Sequence, residues 1–148
     1  MISEKWDKRF IELAKYVSTW SNDVHKVGSV IVDKDNVVLS LGYNGFPRLA
    51  VDDLPERRER NVKLIYTVHA EENAILNAAR KGISLDGSTI YLEWFPCVNC
   101  AKSIINAGIK RVVCCGYDKT DIKRIIDYKF DLSEQLFEEC KIKVDIHE

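Results

Sequence analysis

Apolar residues recur along the chain with two periods, and the alternation between them outlines the fold. From Ile2 to Val17, Trp6, Phe10, Leu13, Ala14 and Val17 fall at helical spacing, which predicts an amphipathic helix. Val27 to Val32 (VGSVIV) is a β-branched run, Asp33 to Asn36 (DKDN) reads as a turn, and Val37 to Tyr43 resumes strand character, so the three together predict a hairpin. Asn44 to Tyr66 is long and mixed, with Arg48, Arg57, Arg58, Arg60 and Lys63 set against Asp52, Asp53, Glu56 and Glu59. Within it, Asp53-Leu-Pro-Glu-Arg reads as the capped start of a short helix. Loops of this length in compact domains are either functional or solvated excursions, and the sequence leaves both open.

Two similar units follow. Ala70 to Lys81 (AEENAILNAARK) predicts a helix stopped by Gly82, and Ser88 to Glu93 (STIYLE) a strand. Pro96 introduces a second helix, Cys97 to Ala107, stopped by Gly108, and Lys110 to Cys115 (KRVVCC) is the next strand. The remainder to about Cys140 reads as helical with a break near Asp127 to Asp131, and Lys141 to Ile146 as a final edge strand. The order α-β-β-α-β-α-β-α-β predicts an α/β fold, a three-layer α/β/α sandwich around a mixed central sheet. At 148 residues this is one domain spanning 1–148, large enough to build a core without disulfides.

Charge narrows the function classes. Lys+Arg is 22 and Asp+Glu is 23, so the formal net charge is 22 − 23 = −1. A chain without basic excess is not built to coat a nucleic-acid polymer, whereas a small phosphorylated substrate needs only one or two local cations. No apolar run approaches the roughly 20 residues of a membrane span. The first ten residues, MISEKWDKRF, are charged at once and lack an apolar core, so no secretory leader is expected. Five cysteines (Cys97, Cys100, Cys114, Cys115 and Cys140) form an odd count that points to reduced thiols and a cytoplasmic setting.

In that setting Cys97-x-x-Cys100 suggests metal or redox chemistry. His69-Ala-Glu71 heads one predicted helix and Pro96-Cys97-Val-Asn-Cys100 heads another, so His69, Cys97 and Cys100 can converge on one ion. One imidazole and two thiolates suit Zn²⁺, and three protein ligands leave a fourth position for water. Helix N-termini and the cation both favour the thiolate form. Glu71, two residues after the histidine, is placed to face the open position and act as a proton shuttle rather than a ligand. A structural zinc would need a fourth protein ligand; Cys114 and Cys115 lie in an apolar strand and are expected in the core. A redox pair would leave His69 and Glu71 without a role.

The order H-x-E…P-C-x-x-C, with 28 residues from His69 to Cys97, matches the known signature of zinc nucleobase deaminases. From about Lys5 to Gly116 the chain resembles the cytidine/deoxycytidylate deaminase superfamily, and most closely its deoxycytidylate (dCMP) branch. The carrying segments are VGSVIV, GYNGFP (Gly42 to Pro47), HAEENAI (His69 to Ile75) and WFPCVNCAKSIINAGIKRVV (Trp94 to Val113). The resemblance implies a cytidine-deaminase-like fold. It makes His69, Cys97 and Cys100 zinc ligands and Glu71 the catalytic acid–base. It puts Asn44 against the nucleoside sugar and base, although Asn-Gly is also a turn signal by itself, and it sets the backbone N–H of Ala70 on the pyrimidine carbonyl. Arg48 and Lys26 are the candidate phosphate cations. Arg48 to Val68 contains no Cys or His, so the second zinc cluster of some relatives is not expected.

The implied reaction is hydrolytic deamination of dCMP, or of a 5-substituted dCMP, to the uracil nucleotide and ammonia. The implied partners are a small pyrimidine nucleotide and further copies of the chain, as a dimer or hexamer. Cytidine, guanine or a tRNA adenosine are alternative substrates, and a zinc-stabilised binding module without catalysis is the alternative class. Glu71 argues against the last, because a binding module has no use for a carboxylate beside an open metal position.

Overall fold

The computed structural model describes residues 4–147. The predicted opening helix is α1, Glu4–Ser18, and the first two positions assigned to it, Ile2 and Ser3, lie outside the described residues. The hairpin forms as β1 (Gly28–Val32) and β2 (Val38–Tyr43), followed by two short helices, α2 (Pro55–Arg58) and α3 (Arg60–Tyr66). Then come α4 (Ala70–Lys81), β3 (Thr89–Leu92), α5 (Val98–Asn106) and β4 (Arg111–Cys114). The chain ends with α6 (Ile122–Tyr128), α7 (Phe130–Glu139) and β5 (Lys143–Ile146).

The five strands make one mixed sheet, order β2-β1-β3-β4-β5. β1 is antiparallel to both β2 and β3, while β3, β4 and β5 run parallel. β2 therefore runs the same way as the parallel strands. The carboxyl ends of β2, β3 and β4 and the amino end of β1 consequently open at one end of the sheet. In open α/β sheets this is the end where ligands bind.

Two apolar layers hold the three-layer sandwich. On one face Phe10, Ile11 and Ala14 of α1 pack on Val30, Val32, Tyr91 and Val113. On the other, α4, α5 and α7 supply Ala74, Ala78, Ala101, Ile104 and Phe137 against Ile31, Ile90, Leu92 and Val112. Strands β1 and β3 are buried at every position, as expected of central strands covered on both sides. At the amino end of β4, Arg111 ties the first layer to the sheet. Its Nη2 donates to Asp7 Oδ2 at 2.7 Å and its Nε to Asp145 Oδ2 at 2.6 Å, while Tyr91 Oη donates to Asp7 Oδ1 at 2.7 Å.

Three boundaries depart from the sequence reading. The short helix expected to start on an Asp53 cap instead follows Leu54, which makes no side-chain cap bond, with Pro55 supplying the preset φ of a first helical residue. Glu59 (φ −57°, ψ 130°) then leaves helical geometry, so the segment becomes two helices. The helix expected from Cys97, α5, begins at Val98, because Cys97 is its extended N-cap. The expected break in the C-terminal helical stretch falls on Lys129, which adopts the left-handed conformation at φ 55° and turns α6 into α7.

Candidate metal centre and active-site cavity

The head of α4 is fixed by its neighbours in the hairpin. Ser29 Oγ donates to the carbonyl of Ala70 at 2.7 Å, and Ser40 Oγ to that of Ala74 at 2.6 Å. Asn77 Nδ2 reaches the carbonyl of Leu41 at 2.8 Å. Gly42 lets the helix sit this close, since a Cβ there would collide with the carbonyl of Ala70 and the backbone N of Ala74. His69 is the N-cap of α4 and Cys97 the N-cap of α5, yet neither side chain caps its own helix. Both turn instead toward one point.

There, His69 Nδ1 lies 3.5 Å from Cys97 Sγ and 3.4 Å from Cys100 Sγ. All three ligand atoms fall within 4.8 Å of one another, the one such metal-competent group among the described residues. Tetrahedral zinc with ordinary Zn–N and Zn–S bonds sets an N···S edge of about 3.5–3.6 Å. Both nitrogen–sulfur distances therefore already stand at zinc spacing, and an imidazole–dithiolate set leaves one coordination position for water. Cys114 is buried in the core, Cys115 is half-buried beyond it, and Cys140 is exposed at the end of α7. Burial pushes the Cys114 thiol up to about 12, which suits an inert core residue.

Protonation within the metal-free triad is shared unequally. The bond to Cys97 raises His69 to about 9. A bond from Cys100, joined by one from His69, lowers Cys97 to about 4. The proton that Cys100 gives to this bond, together with burial, pushes Cys100 up. His69 and Cys100 are thus held toward their protonated forms and Cys97 toward its thiolate. A divalent cation among them requires two thiolates and a neutral ring, so metal binding must release protons.

Glu71 is 6% exposed, and burial pushes its carboxyl above the usual range. It shares a cavity of about 420 Å³ with His69, Ala70, Cys97 and Asn44. That volume falls among the roughly 300–1,000 Å³ of small-molecule sites. Asn44 is held from both ends of its amide: Oδ1 accepts from Val27 N–H at 2.9 Å, and Nδ2 donates to the carbonyl of His25 at 2.7 Å. A primary amide has two N–H donors, so one remains for a ligand. Glu72, by contrast, is exposed.

Residues 4–116 match the family model of the cytidine and deoxycytidylate deaminase zinc-binding region. The chain belongs to this deaminase family. It is 39% identical over 144 residues to the uncharacterized deaminase of the luxG 3′ region of Aliivibrio fischeri, covering 97% of this chain and 94% of the relative. To the deoxycytidylate deaminase of Homo sapiens it is 40% identical over 115 residues, covering 74% of this chain but 64% of the relative. Among solved structures, the dCMP deaminase of cyanophage S-TIM5 in complex with dCMP and dUMP superposes with a TM-score of 0.77 at 25% identity, over 99% of this chain and all of that one. The cytidine-deaminase-like sandwich and a zinc-binding region are therefore those of the family.

The deaminase cavity does not include the two cations expected from the sequence. Arg48 Nη2 donates to Asn77 Oδ1 at 2.8 Å on the exposed side of α4. Lys26 turns back to the carbonyl of Ser21. Arg60, Lys63, Lys123 and Arg124 face the cavity instead. The first two arrive because Gly45 and Val68 pair as an isolated bridge, which cinches the long excursion at its base and returns α3 to the sheet end. The charge in that excursion was the available signal. Lys123 and Arg124 come from α6, which follows the carboxyl end of β4, and no local pattern announces where such a segment docks. Among the described residues no helix is long and apolar enough to cross a membrane.

Proposed function

We propose that this chain is a single-domain, zinc-dependent hydrolase that converts dCMP, or a 5-substituted dCMP, to the uracil nucleotide and ammonia. The observation that carries the reading is Glu71: a buried carboxylate on the wall of the cavity that His69 and Cys97 also line, two residues from one ligand and outside the ligand set. A deoxycytidylate deaminase relative and a solved dCMP deaminase fold support the nucleotide.

His69, Cys97 and Cys100 would hold the zinc, which supplies an acidified water at its open position. Glu71 takes a proton from the water that adds to C4 of the ring and delivers it to N3. It then takes the remaining proton from the hydroxyl now on C4 and passes it to the exocyclic amine as the C4–N bond breaks and the C4 carbonyl forms, so that water is consumed and ammonia leaves. Its raised pKa suits a group that must both accept and return a proton. The backbone N–H of Ala70 holds the pyrimidine carbonyl, and the free amide hydrogen of Asn44 meets the nucleoside. The setting is cytoplasmic and the working form a homo-oligomer, a dimer or hexamer.

The test is ammonia release from dCMP, cytidine, guanine and a tRNA anticodon stem by zinc-loaded protein. The reading requires dCMP to be the preferred substrate by kcat/KM. Preference for any of the other three would move the chain elsewhere in the family, and no turnover of any would leave a binding module.

A further inference from the structure

The cavity is longer in chemistry than the deamination step requires. His69, Cys97 and Glu71 line it, and α3 and α6 add Arg60, Lys63, Lys123 and Arg124 to the same wall. Of these, Lys63 is already engaged, its Nζ 2.9 Å from Asp23 Oδ1. Arg60, Lys123 and Arg124 have no carboxylate partner among the described residues. Of the lining carboxylates, Asp23 is held by Lys63, Asp121 accepts the backbone N–H of Arg124 as the N-cap of α6, and Glu71 serves the deamination step. Only the exposed Asp127 is left against three free cations.

Arg124 is the best prepared of the three. Its guanidinium stacks over Trp94 at 4.8 Å from the ring centroid, with Tyr128 and Phe130 each at 5.9 Å. Stacking engages the face of the guanidinium and leaves its edge of N–H donors free. A planar donor fork, held in place by aromatic rings and with no acceptor of its own, is matched to an oxyanion that takes two hydrogen bonds at once.

We infer that Arg124, with Arg60 facing the same cavity, is the group that makes this site prefer a phosphorylated nucleoside over the free nucleoside. Resting on the deaminase reading above, the inference names the residues that set its substrate class. Arg60 lies within residues 4–116, the stretch matched by the family model, whereas Arg124 lies beyond it.

The test is calorimetric binding of dUMP and deoxyuridine to the zinc-loaded wild type, Arg124→Gln and Arg60→Gln, beside ammonia release from dCMP and deoxycytidine. The wild type should bind dUMP at least about 10-fold more tightly than deoxyuridine. Arg124→Gln should narrow that ratio by about 10-fold or more, the usual worth of hydrogen bonds to a charged group, and Arg60→Gln should narrow it in the same direction. A ratio unchanged in Arg124→Gln, or equal losses on dUMP and deoxyuridine, would overturn the assignment. A wild type with an Arg124-dependent preference for dUMP but no ammonia from dCMP would leave this subsite standing and sink the catalytic reading. A wild type that deaminates dCMP and deoxycytidine alike, with no preference for dUMP, would sink the subsite alone.

Discussion

Replacing Asp7 with Ala should weaken the protein without touching its chemistry. Asp7 accepts two bonds from Arg111 (2.7 and 2.9 Å) and one from Tyr91 (2.7 Å), and the Asp7 and Arg111 side chains are each 15% exposed. Such a pair is worth more than the 0.2–1 kcal/mol or so of a surface ion pair. It is worth less than the roughly 3–5 kcal/mol lost when a deeply buried charge is stranded, because Arg111 keeps Asp145. The expected loss is about 2–3 kcal/mol, or roughly 5–10 °C in Tm for a chain of this size. Urea unfolding should show a lower midpoint with an unchanged slope. Burial pushes the Asp7 carboxyl up, but the bonds from Arg111 and Tyr91 outweigh it and hold the group below its ordinary value. Its stabilisation is therefore complete above the unfolded pKa of about 3.9 and is lost as pH falls through the lower folded value, so wild type and variant should converge in acid below about pH 4. Because this cluster sits at the amino end of β4, away from the cavity, kcat per folded molecule should be unchanged. A loss under about 0.5 kcal/mol at neutral pH, or a gap that persists through the acid limb, would refute the reasoning.

The other predictions concern the site's supports. Gly42→Ala should cost about 1–3 kcal/mol by forcing a methyl into the backbone of α4, seen as a lower thermal midpoint, and should lower zinc retention because the head of that helix carries His69. Cys97→Ala should lose zinc by elemental analysis while Cys115→Ser keeps it, since Cys115 lies outside the ligand group. Adding zinc to metal-free wild type at pH 7 should release protons, measurable in weak buffer, because His69 is raised to about 9 and Cys100 holds its proton.

The fold was legible where local pattern and tertiary demand agree. The apolar spacing of α1, the β-branched run of β1 and the Gly82 and Gly108 stops of two helices all need only neighbours along the chain to be read. The triad was legible for the same reason, because His69, Cys97 and Cys100 each sit at a helix head whose start the sequence marks. Arg48 and Lys26 misled because a cation near a motif in sequence need not face the cavity. Arg48 leans along α4 to Asn77, and Lys26 folds back on its own loop. Arg60 and Arg124 reach the cavity only through the Gly45–Val68 bridge and the docking of α6, which are long-range features without a local signature.

The central claim is that Glu71 moves protons at a metal it does not bind. General acid–base groups typically contribute about 10²–10⁴ in rate. Glu71→Gln, which preserves the shape but cannot take the proton, should retain one zinc per chain and the wild-type fold while ammonia release from dCMP falls by about the upper end of that range or beyond. Glu72→Gln, altered on an exposed neighbour, should stay close to wild type. Zinc content and ammonia release measured together on the same three preparations decide the matter: full zinc with turnover abolished only in Glu71→Gln is the predicted result, and undiminished turnover in Glu71→Gln would contradict the account.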